Sequence, residues 1–514
     1  MPIPTCRILN VPSNSAIFAV AGLCHARRMA IMPADIAARL RLAWLLHRAA
    51  VGPTAAGVVR DMLADSAAEL GAALHAIGQS TQALASADEA LLLAADHVAA
   101  LHLRGVILMQ RGRPAEAWIA FEKAASLHAG DAELWARGAF ALHHLGRFAD
   151  AVHYADRALA ITPDHLNARI SHGISSYFLR RFAAALEDFA AAQLLHPDDA
   201  GVRYNAALVH LAMGDFATGW AEYEARWVMA ERRADSVCAR SPQWRGQAGG
   251  TVLLWSEQGL GDTLQFCRYA ILVARRSNVI LQVPQSLLRL LSDLPGVSAT
   301  IVEGTEPPPH DWQSSLMSLP HWFGTVVDCI PADGPYLHAD ADAVARWSAR
   351  LSRSPGGLRV GLVWAGNPRL GDISANAIDR RRSIPLADLA PLAGVPGVTL
   401  VSLQKSAPTP LEFSIMDWTD DLTDFADTAA LVMALDLVIA VDTAVAHLAG
   451  ALGRPVWILN RYDACWRWLD GRDDSPWYPT ARLFRQTSPG DWPDVIARVA
   501  SALHAFAQGH GRHG

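Results

Sequence analysis

Two kinds of hydrophobic pattern share this 514-residue chain. Up to Arg233 the apolar positions follow helical spacing in short blocks; from Thr251 onward short unbroken apolar runs alternate with helical ones. The first pattern is periodic. Gly78, Gly112, Gly146 and Gly214 lie 34 residues apart or a multiple of it, with Arg180 in the remaining slot. Ala83, Ala117, Ala151 and Ala185 keep the same spacing, with Gly219 fifth, and Ala90, Ala124, Ala158 and Ala192 repeat it. Bulky Phe121, Phe189 and Tyr223 are equivalent, and Pro163 and Pro197 close successive units. Small residues in fixed register let paired helices pack closely. The pattern therefore predicts about five helix-turn-helix units from Ala64 to Arg233, with a capping helical segment at Pro33 to Ala50. One such unit cannot bury its own apolar face, so stacking into a right-handed solenoid with a concave groove is expected.

Helical periodicity fades into SPQWRGQAGG, a joint placing a domain boundary near Gln243. Thr251 to Trp255 then reads as a buried strand, followed by SEQGLGD and a helix from Thr263 to Arg276. Val279 to Val283 and Val297 to Val302 give further strands around a helix at Gln285 to Ser292. A second series begins at Arg359: strand VGLVWAG, a proline-started helix SIPLADLAPL, strand VTLVSLQ, helix DTAALVMAL, then DLVIAVDTAVAHLAGALGRP and VWIL. Alternating strand and helix implies two parallel sheets, with a ligand cleft at the carboxyl ends of their strands.

Within the second series, Leu437 to Val441 is an unbroken apolar run suited to a strand covered on both faces. Asp442 or Thr443 caps the small-residue helix that follows, directing its backbone N–H groups and dipole at an anion above the strand end. His447 falls on the same face as Thr443, and Ala444 and Gly450 keep that helix thin. Gly259 and Gly261 are expected to serve the turn before the first helix of the second half.

Composition narrows the function class. A formal charge of −6 lacks the basic footprint of a nucleic-acid binder. The six cysteines include no CxxC pair, so neither a zinc site nor a disulfide framework is indicated, and a reducing cytoplasm fits best. Ile17 to Cys24 only weakly imitates a signal peptide, and no apolar run is long enough to span a bilayer.

The repeat frame resembles the tetratricopeptide repeat. GLGD at Gly259 to Asp262, VWAGNP at Val363 to Pro368, RRRSIPL at Arg380 to Leu386, SLQK at Ser402 to Lys405, DTAVAHLAGALGRPVW at Asp442 to Trp457 and DSPWYPT at Asp474 to Thr480 together resemble the heptosyltransferase-like glycosyltransferases of family 9. They are similar in particular to bacterial proteins that fuse tetratricopeptide repeats to such a domain. This resemblance implies a multidomain fold: an all-α tetratricopeptide-repeat solenoid followed by an α/β GT-B domain of two Rossmann-like parallel sheets. It also implies a nucleotide-sugar as substrate, no cofactor and no catalytic metal.

Carried over by position, the resemblance places Thr443, Ala444 and His447 at the donor diphosphate and Asp442 at the nucleotide side. Arg380, Arg382, Lys405 and Asn367 join the donor site, the cations because the leaving group gains negative charge as the glycosidic bond breaks. Asp262 is the candidate general base, with Glu257 in reserve. Trp466, Trp468, Trp477 and Tyr478 read mainly as packing. Leu370 to Ile378 reads as an extra loop before the arginines, Ala444 stands where glycine is common in the family, and Asn460 to Cys465 departs from the expected proline-rich turn.

The expected domains are an extension (1–32), the solenoid with its capping helix (33–233), a linker (234–250), an acceptor-side half (251–345) and a nucleotide-sugar half (355–508). The expected function is inverting transfer of a sugar to a hydroxyl of a protein or peptide acceptor in the solenoid groove, flagellin being one acceptor of related proteins. Two alternatives stand beside it: a non-catalytic scaffold with a degenerate second half, and a glycan- or lipopolysaccharide-directed enzyme.

Overall fold

The computed structural model describes residues 53–229, 241–354, 356–405 and 413–510. The expected extension, the Pro33 to Ala50 capping segment and the first part of the linker lie outside these residues. The chain divides into two compact units, Met1–Ser175 and Ser176–Gly514.

In the first unit, α1 (Pro53–Ala76) pairs with α2 (Ser80–Leu93), α3 (Val98–Gln110) with α4 (Pro114–Leu127), and α5 (Ala132–His144) with α6 (Phe148–Ile161). Gly78, Gly112 and Gly146 take φ of 78°, 72° and 75°, so the periodic glycine is the left-handed residue that turns the chain between paired helices. Ala83, Ala117 and Ala151 are fully buried. The helices approach so closely that a Cβ on Gly105 would lie 2.5 Å from the ring of Phe121. Small and bulky positions of the period thus interlock.

α7 (Leu166–Phe178) leads into the second unit, where α8 (Phe182–Leu195), α9 (Ala200–Met213) and α10 (Phe216–Tyr223) continue the pattern. Arg180 occupies the glycine slot with φ of 60°, a conformation that costs a non-glycine residue about 1 kcal/mol or more. Asp215 caps α10 by accepting from the Thr218 amide at 3.2 Å.

The rest of the second unit holds two sheets, all parallel. β1 (Thr251–Trp255), β2 (Asn278–Val283), β3 (Val297–Val302) and β4 (Trp312–Ser315) form the first, ordered β3-β2-β1-β4. β5 (Leu358–Val363), β6 (Val398–Ser402), β7 (Met416–Asp417), β8 (Leu437–Val441), β9 (Val456–Asn460) and β10 (Ala481–Arg485) form the second, ordered β10-β9-β8-β5-β6-β7. β8 and β9 are buried at every residue, which explains their unbroken apolar runs.

Several sequence expectations are corrected. The Thr263 to Arg276 helix is two helices, α11 (Leu260–Phe266) and α12 (Arg268–Ala274), meeting at Cys267. The stretch read as an extra loop is largely α13 (Ile373–Arg382), capped by Asp372, whose carboxylate accepts from the Ala375 amide at 2.9 Å. It lacks an apolar stripe, so hydrophobic periodicity could not reveal it. SIPLADLAPL forms only short turns, Leu386–Leu389 and Ala390–Ala393. Near the expected boundary, Gln243 bridges to Gln313 of β4, and Trp244 next to it is fully buried.

The last repeat shares its core with the first sheet. Phe216, Trp220 and Tyr223 belong to one apolar cluster with Val252, Leu254, Leu264 and Phe266. Beyond α10 a short 3-10 turn presents Arg226, fully buried, which donates to Glu257, Glu224, Ser318 and the carbonyl of Tyr223.

Candidate functional site

The site is built where two strand-turn-helix corners meet. β1 runs into α11 through Gly259, and β8 runs into α14 (Ala444–Ala451) through Thr443. α11 packs directly on α14: a Cβ on Gly261 would lie 2.9 Å from Cδ2 of His447 and 3.5 Å from Cα of Ala444. Neither Gly259 nor Gly261 has positive φ; Gln258 does, at 62°, so the turn strain falls one residue before the first glycine. The glycines provide space rather than a left-handed turn. Gly261 admits the His447 ring, and Gly259 admits the carboxylate of Asp262 and the guanidinium of Arg369, at 3.2 and 3.4 Å from an added Cβ.

Asp262 is the third residue of α11, and its Oδ2 accepts from the Gly259 amide at 2.8 Å. Its Oδ1 is taken by Nη2 of Arg467. Arg467 comes from the 3-10 turn Trp466–Trp468 after β9 and is largely buried. Burial opposes its charge, and the adjacent Asp262 more than offsets this, holding the guanidinium above its ordinary value.

On the opposing corner Thr443 is the N-cap of α14, but its side chain makes no capping bond, and its buried Oγ1 has no hydrogen-bond partner. The first turn of α14 therefore points polar hydrogens outward without filling them from its own cap. Asp442 is not the cap. Burial opposes its ionisation, yet His447, Arg461, Arg382 and Arg467 around it hold its carboxyl below the usual value. His447 is 4% exposed, stacked on Trp468 with ring centroids 5.1 Å apart, and its Nδ1 lies 2.9 Å from the Tyr478 hydroxyl. Burial pushes its pKa down to about 4, against the pull of Asp442, whose Oδ1 is 3.9 Å from Nε2. The imidazole is thus neutral at pH 7, packed among Trp468, Tyr478 and Gly261.

The basic run lies in the last turn of α13, where the helix dipole favours cations. Arg382 donates to Asp379 at 2.9 Å and to the carbonyl of Asp442 at 3.0 Å, which brings it to the corner. Arg381 reaches Asp463 at 3.0 Å, a carboxylate shared with Arg461 at 3.1 Å. Arg380 is exposed. Asn367 is exposed and accepts from the Arg369 amide at 3.0 Å. Lys405 stands after β6 and donates to the carbonyl of Leu422. Glu257 is engaged by Arg226 at 2.7 Å and by Ser315.

Asp262, Gly259, Gly261, Asp442, Thr443, Ala444, His447 and Arg382 therefore converge; Asn367 adjoins Arg369, which reaches Gly259, whereas Lys405 contacts Leu422 and Glu257 is held by Arg226. The sequence reading missed Arg369, Arg461 and Arg467. The signal for the last two was present: RYDACWRW follows the buried strand β9, and basic residues just past a strand end face the cleft of a parallel sheet. Trp466, Trp468, Trp477 and Tyr478 are buried packing residues. Among the described residues no group of three or more His, Cys, Asp or Glu side chains could hold a metal ion, and no helix is long and apolar enough to cross a membrane.

Comparison with known proteins points to the same corner. The family described as glycosyltransferase family 9 (heptosyltransferase) matches residues 422–462, which contain β8, α14 and β9. Protein FlbA of Caulobacter vibrioides is 28% identical over 434 residues, 78% of this chain and 72% of that one. Among solved structures, YrrB, described as a TPR protein with an unusual peptide-binding site, is 21% identical over 33% of this chain and 87% of its own, with a TM-score of 0.29. MamA is 17% identical over 32% of this chain and 97% of its own, also with a TM-score of 0.29. At these TM-scores the likeness adds nothing to the paired helices and their 34-residue period. The chain joins tetratricopeptide-type repeats to a family 9-like glycosyltransferase domain.

Proposed function

We propose that this glycosyltransferase moves a sugar, with inversion, from a nucleotide-activated donor to a hydroxyl of a protein acceptor. The observation that carries the reading is the packing of α11, which bears Asp262 after β1, against α14, which Thr443 opens after β8. A diphosphate at Thr443 meets backbone N–H groups, the unpartnered Thr443 hydroxyl and the side chain of Arg382. The acceptor oxygen attacks the anomeric carbon as the bond from that carbon to the diphosphate oxygen breaks. The acceptor proton passes to Asp262, and the leaving diphosphate keeps the electron pair. His447, neutral and buried, shapes the cleft rather than adding charge.

The repeats supply acceptor capture in this reading. In the first unit a recess of about 510 Å³ is lined by Asp65, Glu69, His75, His97, His102 and Arg137. Two of its imidazole nitrogens, His75 Nδ1 and His102 Nε2, are buried without a hydrogen-bond partner. A peptide bearing hydroxyl or amide groups would satisfy both. A cytoplasmic protein, flagellin being the candidate to try first, fits this role.

A second reading, a non-catalytic scaffold, is favoured by one observation: both carboxylate oxygens of Asp262 are already engaged. Thermal stabilisation and hydrolysis across ADP-, UDP-, GDP- and CMP-activated sugars separate the two, with Thr443→Val as control. Stabilisation and slow turnover of one donor, both lost in the variant, are expected. Binding without turnover, in the presence of an acceptor found through the repeats, would support the scaffold.

A further inference from the structure

We propose that Arg467 is a positioning residue that holds Asp262 out of reaction until a donor diphosphate draws its guanidinium away. The inference rests on the donor site proposed above. Oδ1 of Asp262 accepts from Arg467 and Oδ2 from the Gly259 amide. Each oxygen keeps a further lone pair, but the guanidinium on Oδ1 and the amide on Oδ2 fix how the carboxylate is turned.

Arg467 itself is incompletely satisfied. Its Nη1 meets only the Cys465 sulfur, at 3.1 Å, and its buried Nε has no hydrogen-bond partner. Thr443 Oγ1, at the start of the opposing helix, is likewise buried and unpartnered. Trp468, next to Arg467 in the same turn, stacks on His447 of α14 with centroids 5.1 Å apart, so Arg467 stands beside the α14 corner as well as the α11 corner. A diphosphate offers this fork two charged oxygens in place of one, the geometry that guanidinium groups bind best.

The backbone under Arg467 is held in place, so only the side chain needs to move. Asp470 donates its amide to the carbonyl of Ala212 in α9 at 3.0 Å, and its carboxylate meets Arg180 at 2.6 Å. Arg485 donates to the carbonyls of Trp468 and Leu469 at 2.5 and 2.7 Å. Trp466 packs edge-on against Trp220 of α10, 5.3 Å between centroids. The last repeats thus fix the turn from which Arg467 swings.

The competition is tested by titrating ADP, UDP, GDP and CDP into the full chain and three variants, by calorimetry. For whichever nucleoside diphosphate binds the parent chain, Asp262→Asn should bind at least about threefold tighter, because Arg467 is released. Arg467→Met should bind at least tenfold weaker, the scale of a lost charge-assisted hydrogen bond. Combining the two should leave the affinity at the Arg467→Met level. A gain that persists without Arg467 would be simple relief of repulsion between Asp262 and the phosphates, and would overturn the proposal, as would no gain in Asp262→Asn. Arg467→Lys, which keeps the charge and loses the fork, should fall between parent and Met, and serves if the Met variant does not fold. Binding of the parent chain without this redistribution rejects the gate and leaves the donor site standing. No binding of any nucleoside diphosphate to any variant removes both.

Discussion

Arg226 grips Glu257 with two prongs, Nη2 to Oε1 at 2.7 Å and Nε to Oε2 at 3.1 Å, and the guanidinium is fully buried. Removing one partner of such a pair strands the other away from water. Arg226→Met should destabilise the second unit by about 3–5 kcal/mol, because it leaves both Glu257 and Glu224 unneutralised. Glu257→Gln should cost less, since Glu224 still accepts from Arg226 at 2.6 Å. Urea denaturation checks the order; equal or reversed costs would mean that Glu257 is not committed to this pair.

His447 sets a pH window for stability. Its folded pKa of about 4 lies below the ordinary 6.5. As pH falls below about 6.5 the unfolded chain takes up a proton that the folded chain refuses until about 4. The stabilisation is therefore complete above 6.5, declines between 6.5 and 4, and totals about 3 kcal/mol. Asp442 acts in the same direction in a lower window: its depressed carboxyl contributes stability above the ordinary 3.8, lost as pH falls through the folded value. Urea midpoints at pH 7, 6 and 5 should drop steadily in the parent chain and hold nearly level in His447→Gln. An unchanged slope in the variant would assign the effect to another group.

Gly261→Ala should be worse than Gly259→Ala. The new methyl at 261 meets the His447 ring at 2.9 Å, and that ring is pinned between Trp468 and Tyr478. Overpacking of this kind costs about 1–3 kcal/mol. At 259 the nearest atoms, at 3.2 and 3.4 Å, are the ends of Asp262 and Arg369, and the Arg369 end can yield. Thermal denaturation of the two variants decides the ranking.

Thr443→Val should separate folding from binding. The Oγ1 makes no hydrogen bond, so stability should change by less than about 0.5 kcal/mol. Nucleoside diphosphate affinity should fall about tenfold or more if that hydroxyl is a ligand group. A stable variant with parental affinity would take Thr443 out of the donor site.

What could be read from the sequence was what repeats or alternates. The glycine slot of the period carried its backbone conformation: Gly78, Gly112, Gly146 and Gly214 are all left-handed, and so is Arg180 in the same slot. β8 was legible because a strand buried on both faces leaves a continuous apolar run. α13 was not, since its residues bury little and its stability rests on the Asp372 cap and on ion pairs, one of which joins Arg381 to Asp463, 82 positions away. The pairing of Asp262 with Arg467 spans 205 positions and follows no local rule. The roles of Gly259 and Gly261 were misjudged for the same reason, because the atoms they make room for come from distant parts of the chain.

The continuity of the last repeat with the first sheet bears on how such a protein is inherited and recombined. The Ser/Pro/Gly-rich joint looks like a natural crossover point, yet an exchange there would part Phe216, Trp220 and Tyr223 from Val252, Leu254 and Phe266. It would also separate Arg226 from Glu257. Repeat arrays of different length or specificity are exchangeable only upstream of this shared core, ahead of Ser176, where the two compact units divide. Lineages that alter their repeats should therefore vary the early ones and keep the final ones together with the sheets, as a single heritable block.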